Sequence, residues 1–187
     1  MHDETLKEQL IQATIALINE NPHNITVRQI AERAGVGVGL INYHFQTKDN
    51  LIDVAVQRII DAAIARVPDI LAGFAGTPEE KLRQMARSTM RYIASNPNVS
   101  RISILRDMGQ GHAADNTQTT IRAYDSMLQG IIPDKKKRAL IVHVLVASLQ
   151  ALFLRAGVLR EISGFDFYDE EQRGRFIDAL LDVLLKD

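Results

Sequence analysis

Cysteine is absent from the 187-residue chain, which removes a disulfide framework, thiolate zinc sites and a cysteine nucleophile at once. The gap agrees with a reducing compartment. Net charge is nearly absent too: the formal value is −1, so no global field draws the chain to nucleic acid or anionic lipid, and any such binding has to come from local geometry. Strand-like alternation is almost missing, as are internal repeats, low-complexity segments and flexible linkers. The opening MHDETLKEQL has neither the basic nor the apolar part of a signal peptide, and the expected location is the cytoplasm. The longest apolar run, ALIVHVLVASLQALFL at 139–154, falls short of the ~20 residues a bilayer span needs. It carries His143, Ser148 and Gln150, so a buried helix and no membrane association are expected.

What is present is helical periodicity in a chain that is 46% hydrophobic, enough to bury a core. Leu6, Leu10, Ala13 and Leu17, with Ile11, Ile15 and Ile18 beside them, form the stripe of a first helix that Asn21-Pro22-His23-Asn24 should end. Thr26 is placed to cap a short second helix through Ala34, and Gly35 closes it. A third short helix is expected from about Gly37 to His44, and Thr47 caps a fourth carrying Leu51, Val54, Ala55, Ile59 and Ala62 to a bend at Pro68. Thr77-Pro78-Glu79-Glu80 combines a cap, a first-turn proline and a capping-box glutamate, opening a helix to about Ser95. Asn96-Pro97 begins the next, Gly109-Gln110-Gly111 breaks it, and another follows from about Asp115 to Ile131. Pro133-Asp134 opens a helix that is apolar almost all round from Ala139 to Leu154, and a last one covers 169–185. The expectation is an all-α chain of about nine helices. The helices near 134–156 and 169–185 are too apolar for one small monomer to cover, which suggests a subunit interface.

The stretch 26–51, TVRQIAERAGVGVGLINYHFQTKDNL, has the spacing of a helix-turn-helix. Val27, Ile30 and Ala31 should face inward from one helix and Leu40 and Ile41 from the next, with Gly35 supplying a positive φ and Val36 filling the space between. Glycines at alternate positions suggest a phosphate loop, but a capped helix precedes them where a dinucleotide site needs a strand, and no lysine-serine or lysine-threonine pair follows. In the Ile30-Ala31 pair, Ala34-Gly35-Val36, Gly39, the triplet Tyr43-His44-Phe45, and Lys48 with Leu51, this stretch resembles the DNA-binding segment of the TetR/AcrR transcriptional regulators.

That resemblance implies a DNA-binding domain over 1–50 and an effector-binding and dimerisation domain over 51–187, the fourth helix running from one into the other. It implies a homodimer on a near-palindromic duplex, most simply a repressor released by a small-molecule effector, with no catalysis and no cofactor. Thr26 and the start of the second helix would meet a phosphate, with Arg28 adding charge and Val27 close by. Lys48 would hold another phosphate, and Tyr43 and His44 would contact backbone or groove edge. Gly37, Val38, Gly39 and Asn42 occupy the base-facing positions. Many relatives have a tyrosine at the position of Asn42 and a polar or basic residue at that of Val38, so base readout by charge is missing here. Residues 1–50 hold four lysines and arginines against six carboxylates, a net −2, which implies few released counterions.

Two other classes compete. A metal-dependent protein would use Asp107, His112 and Asp115 beside the glycine break, but their spacing fits no common ligand motif. A helical oligomer without DNA affinity would leave Gly39, a costly residue in a short helix, without a purpose. The run Lys135-Lys136-Lys137-Arg138 reads as a solvated face. His143 reads as a core histidine first and an effector contact second. Met85, Met108, Tyr124, Met127 and Phe153 are core residues first and candidates for lining the effector pocket second.

Overall fold

The computed structural model describes residues 2–20 and 25–186. The expected stop at Asn21-Pro22-His23-Asn24 lies outside these residues. Among the described residues there are eleven helices and no strand. The chain forms two compact units, one of residues 1–67 with 98–103 and one of 68–97 with 104–187.

In the first unit, α1 (His2–Glu20) packs on α2 (Val27–Ala34) and α4 (Lys48–Ile64), and α3 (Gly39–Phe45) packs on α4. Helices of eight and seven residues are not stable alone, so α2 and α3 exist because their apolar sides are buried. Ile30 and Ala31 from α2, Ile41 and Phe45 from α3, Leu10 and Ile18 from α1, and Leu51 and Ala55 from α4 form that core. Val99, at the start of α7 (Pro97–Gln110), joins it, and Asn98 Nδ2 donates to the Ile18 carbonyl at 3.2 Å. The unit keeps the whole of α4 with α1, whereas the sequence placed a boundary at the start of that helix. Cutting there would strip Leu51, Ala55 and Val56 from the core they fill.

The second unit holds α5 (Val67–Ala72) from Pro68 on, α6 (Pro78–Ser95), the rest of α7, α8 (Asn116–Leu128), α9 (Lys135–Leu154), α10 (Ala156–Ser163) and α11 (Glu170–Leu185). Two of these, α5 and α10, were not expected. Pro68 sits in the first turn of α5, where its missing N–H is not needed, and α10 follows α9 after a local irregularity at Arg155, with Gly157 in its first turn. Thr77 caps α6 through the capping box with Glu80, whose carboxyl is held below the usual range by the Thr77 backbone N–H. Arginines 83, 87 and 91, one turn apart on α6, pair with Asp182, Asp178 and Glu170 of α11.

At 20 residues α9 is longer than its apolar run, long and apolar enough by length and composition to cross a membrane. Its packing is that of a core helix: Ile141, Leu145, Leu149 and Phe153 are buried. Leu140 is 66% exposed and Val144 39%, leaving an apolar strip uncovered on the other side. Arg138 departs from the expected solvated run. It is buried, pairing with Asp125 at 2.9 Å and donating to the carbonyls of Ile132 and Pro133 at 3.0 and 3.3 Å. The arginine therefore ties the α8–α9 connection to the start of α9. Arg138→Ala leaves these acceptors unsatisfied and is expected to destabilise the protein by about 1–3 kcal/mol in urea unfolding, while Lys136→Ala leaves the transition unmoved.

Candidate nucleic-acid interface

Thr26 starts the helix-turn-helix. Its Oγ1 accepts from the Gln29 backbone N–H at 3.2 Å, and Gln29 Oε1 accepts in return from the Thr26 backbone N–H at 2.9 Å and from its hydroxyl at 2.8 Å. The sequence carried this box in T-V-R-Q, and Gln29 is the partner that the reading of Thr26 alone missed. The hydroxyl proton is already given to Gln29, so a phosphate arriving here would have to displace it. At the other end, Gly35 has φ 67° and its N–H reaches the carbonyls of Ala31 and Glu32. Val36 packs half-buried against the same core.

Gly37 and Val38 precede α3, which begins at Gly39, two residues later than expected. Neither Gly37 nor Gly39 has a positive φ, and a Cβ added to either meets nothing within 4 Å. Nothing among the described residues therefore requires glycine at these positions. Val38, Asn42 and Tyr43 stand exposed, Tyr43 at 73%. Val38 adopts helical backbone angles, and Asn42 lies four residues on, so both occupy one face of α3.

His44 does not join that face. Its side chain is only 6% exposed, with Nε2 3.4 Å from Asp3 Oδ1 on α1 and without a hydrogen-bond partner among the described residues. Its ring lies edge-on to Tyr43 and Phe45. The geometry makes it a packing residue between α1 and α3 in place of the groove contact expected from sequence.

The link from α3 to α4 is a three-residue turn centred on Gln46, with φ 64° and ψ −47°, closed by the Thr47 N–H on the Phe45 carbonyl at 2.7 Å. Such a turn is strained for a residue with a side chain. Asn50 Nδ2 donates to the same carbonyl at 2.9 Å, and Thr47 caps α4 by accepting from the Asn50 N–H. Lys48 is half-buried, its Nζ donating to the Ile25 carbonyl at 3.1 Å. This bond brings the start of α4 beside the start of α2, so Thr26 and Lys48 lie at neighbouring helix N-termini.

The cations near this face are few. Arg33 is committed to Glu20 through two bonds of 2.9 and 2.7 Å. The hydrogen bond from Arg33 pulls the Glu20 carboxyl below the usual range. Arg28 is exposed at the first turn of α2, and Val27 beside it is half-buried against the core. The surface made by Thr26, Arg28, Gly37, Val38, Gly39, Asn42, Tyr43 and Lys48 therefore carries only two cations, Arg28 and Lys48, and neither lies on α3.

In the second unit, Met85, Tyr124 and Phe153 lie in the core, with the Tyr124 hydroxyl on Thr89 Oγ1 at 3.1 Å and its pKa raised to about 12 by burial. Met127 is half-buried. His143 is on the exposed side of α9, its Nδ1 2.6 Å from the Ala139 carbonyl, not in the core as expected. Met108 lines a cavity of about 380 Å³ with Asp107, His112, Asp115, Thr117 and Gln118. The two carboxylates there serve the chain itself: Asp115 accepts from the N–H groups of Gln118 and His112, and Asp107 from that of Thr117. No group of three or more metal-ligand side chains lies together among the described residues.

Residues 10–55 match the family model described as "Bacterial regulatory proteins, tetR family". The chain is 35% identical over 82 residues to the HTH-type transcriptional regulator BetI of Yersinia pestis, a match that spans 43% of this chain and 41% of that one. A second BetI, from Serratia proteamaculans, is 42% identical over 55 residues, 29% of this chain and 28% of its own length. The fold is similar over nearly the full length to a TetR-like transcriptional regulator from Rhodococcus, with a TM-score of 0.62 at 20% identity over 94% and 93% of the two chains. It is similar also to the transcriptional regulator FadR of Bacillus subtilis in complex with stearoyl-CoA, with a TM-score of 0.63 at 19% identity over 96% and 97%.

Neighbouring positions 43 and 44 separate the two roles in this surface. His44→Ala is expected to lower stability by about 1–3 kcal/mol, measured by thermal or urea unfolding, because it empties a packed site. Tyr43→Ala, fully on the outside, leaves the unfolding transition within about 0.5 kcal/mol of wild type.

Proposed function

We propose that the chain, whose residues 10–55 match the tetR family model, is a member of that family and a ligand-responsive transcriptional regulator that binds duplex DNA as a homodimer. The observation that carries this is the exposed face of α3. Asn42 and Tyr43 project from a seven-residue helix backed by the buried Ile41 and Phe45, Val38 stands exposed at its N-cap, and glycines that no described residue crowds flank Val38. A short helix locked on its inner side and bare on its outer one suits insertion into a major groove.

Phosphates on either side are assigned to Thr26 and Arg28 at the start of α2, and to Lys48, Thr47 and the first amides of α4, with Tyr43 between them. Two such heads meet successive major grooves about 34–36 Å apart if the dimer is symmetric. The uncovered strip of Leu140 and Val144 on α9, together with α11, is the proposed dimer surface. The effector is assigned to the second unit, around Met85, Met108, Tyr124, Met127 and Phe153, with His143 left on the exposed side of α9. It acts by binding one arrangement of the two heads better than the other, and repression relieved by ligand is the simplest outcome.

Retention of genomic fragments by the purified protein tests the reading. Discrete fragments, each with a two-fold related sequence, are expected, and retention of none contradicts it. On a retained fragment, Lys48→Ala weakens binding by about 1 kcal/mol and weakens binding to random duplex alike, since it touches only backbone.

A further inference from the structure

The composition of the α3 face narrows which base pairs it can recognise, given the DNA-binding reading above. We propose that this face reads A·T pairs, Val38 against the 5-methyl group of a thymine and Asn42 against the major-groove edge of an adenine, with no arginine or lysine on α3 to favour guanine. The residues 37–45 contain no lysine or arginine, and the ring of His44, the one titratable cation among them, is turned inward with 6% exposure. Arginine and lysine make the commonest specific guanine contacts because O6 and N7 are both acceptors. An amide matches guanine less well: only its NH2 can face the two acceptors, and its oxygen is left without a donor. Adenine presents one acceptor, N7, and one donor, N6, which an amide matches with both its groups.

The Asn42 side-chain amide is exposed and makes no hydrogen bond to another described residue, so neither group has to be released before it can bind. Val38 is 46% exposed, an apolar side chain left in water at the tip of the helix. With Gly37 and Gly39 on either side, its two methyl groups are the only side-chain atoms at that point of the chain, and the backbone there is free to approach a partner closely. A valine so placed has no hydrogen bond to give and gains by covering another apolar group. In the major groove the one apolar group is the thymine methyl. Positions four apart on a helix rise about 6 Å, so the two contacts fall within about two base-pair steps of each other.

Selection of binding sites from a random-sequence duplex library by the full-length protein, followed by base replacement in the selected duplex, tests this. The expected half-site has A·T pairs at two positions about two steps apart. Replacing one thymine per half-site by deoxyuridine, which removes only the methyl group, weakens binding about threefold to fivefold for the wild type and leaves Val38→Ala indifferent. Replacing one adenine by 7-deazaadenine costs the wild type about fivefold or more and leaves Asn42→Ala indifferent. Enrichment of G·C pairs at these positions, indifference of the wild type to both replacements, or undiminished sensitivity in the variants overturns the proposal while DNA binding stands. Enrichment of no sequence at all overturns the DNA-binding reading, and this assignment with it.

Discussion

The burial of Ile30, Ala31, Ile41 and Phe45 between α1 and α4 is the constraint on which the rest of the first unit depends. Neither α2 nor α3 has enough residues to nucleate and persist in water, so their orientation is set by what they cover and not by their own hydrogen bonds. Gly35 allows the chain to turn between them with φ 67°, and Val36 fills the resulting angle. Every inward position thereby fixes an outward one. Ile41 directed at the core puts Asn42 outside, and Phe45 puts Tyr43 on the opposite flank from His44.

Electrostatics follows from the same packing. The unit is nearly balanced by count, seven lysines and arginines against eight carboxylates, and several of its cations are engaged inside the chain. Arg33 pairs with Glu20, Arg58 with Glu8, and Lys48 reaches the Ile25 carbonyl. What faces outward between the two helix starts is then dipoles, hydroxyls and apolar surface, with Arg28 and the remaining valence of Lys48. A surface of this kind favours anions where helix N-termini converge but has little long-range attraction for a polyanion. On the proposed DNA-binding reading, discrimination rests on shape and on base-edge contacts more than on charge.

Much of this was legible in the chain, because the signals were local. Thr26, Thr47 and Thr77 each cap the helix they precede, Gly35 turns where a positive φ is needed, and the apolar spacing of the first helix gives its buried face. What escaped depends on tertiary contact or on strain that composition does not announce. Glutamine is no marker of positive φ, so the turn at Gln46 had no signature, and its support, Asn50 on the Phe45 carbonyl, is visible only in three dimensions. His44 looks like a surface residue beside Tyr43, yet packs toward Asp3 because α3 turns it under α1. Arg138 ends a lysine run and shares its charge but not its surroundings, since Asp125 and two carbonyls converge on it. His143 errs the other way: its helix is apolar on nearly every side, so periodicity gave no sign of which side the second unit covers.

The central claim is that a nearly neutral, rigidly backed helix recognises a duplex with few charged contacts. The salt dependence of affinity on a retained genomic fragment tests it most directly, since each neutralised phosphate adds about 0.9 to the slope of log affinity against log salt. With two or so free cations on each head, a dimer is expected to give a slope between about −2 and −5. A slope near −10 would mean that a dense set of phosphate contacts carries the binding, and would contradict the account.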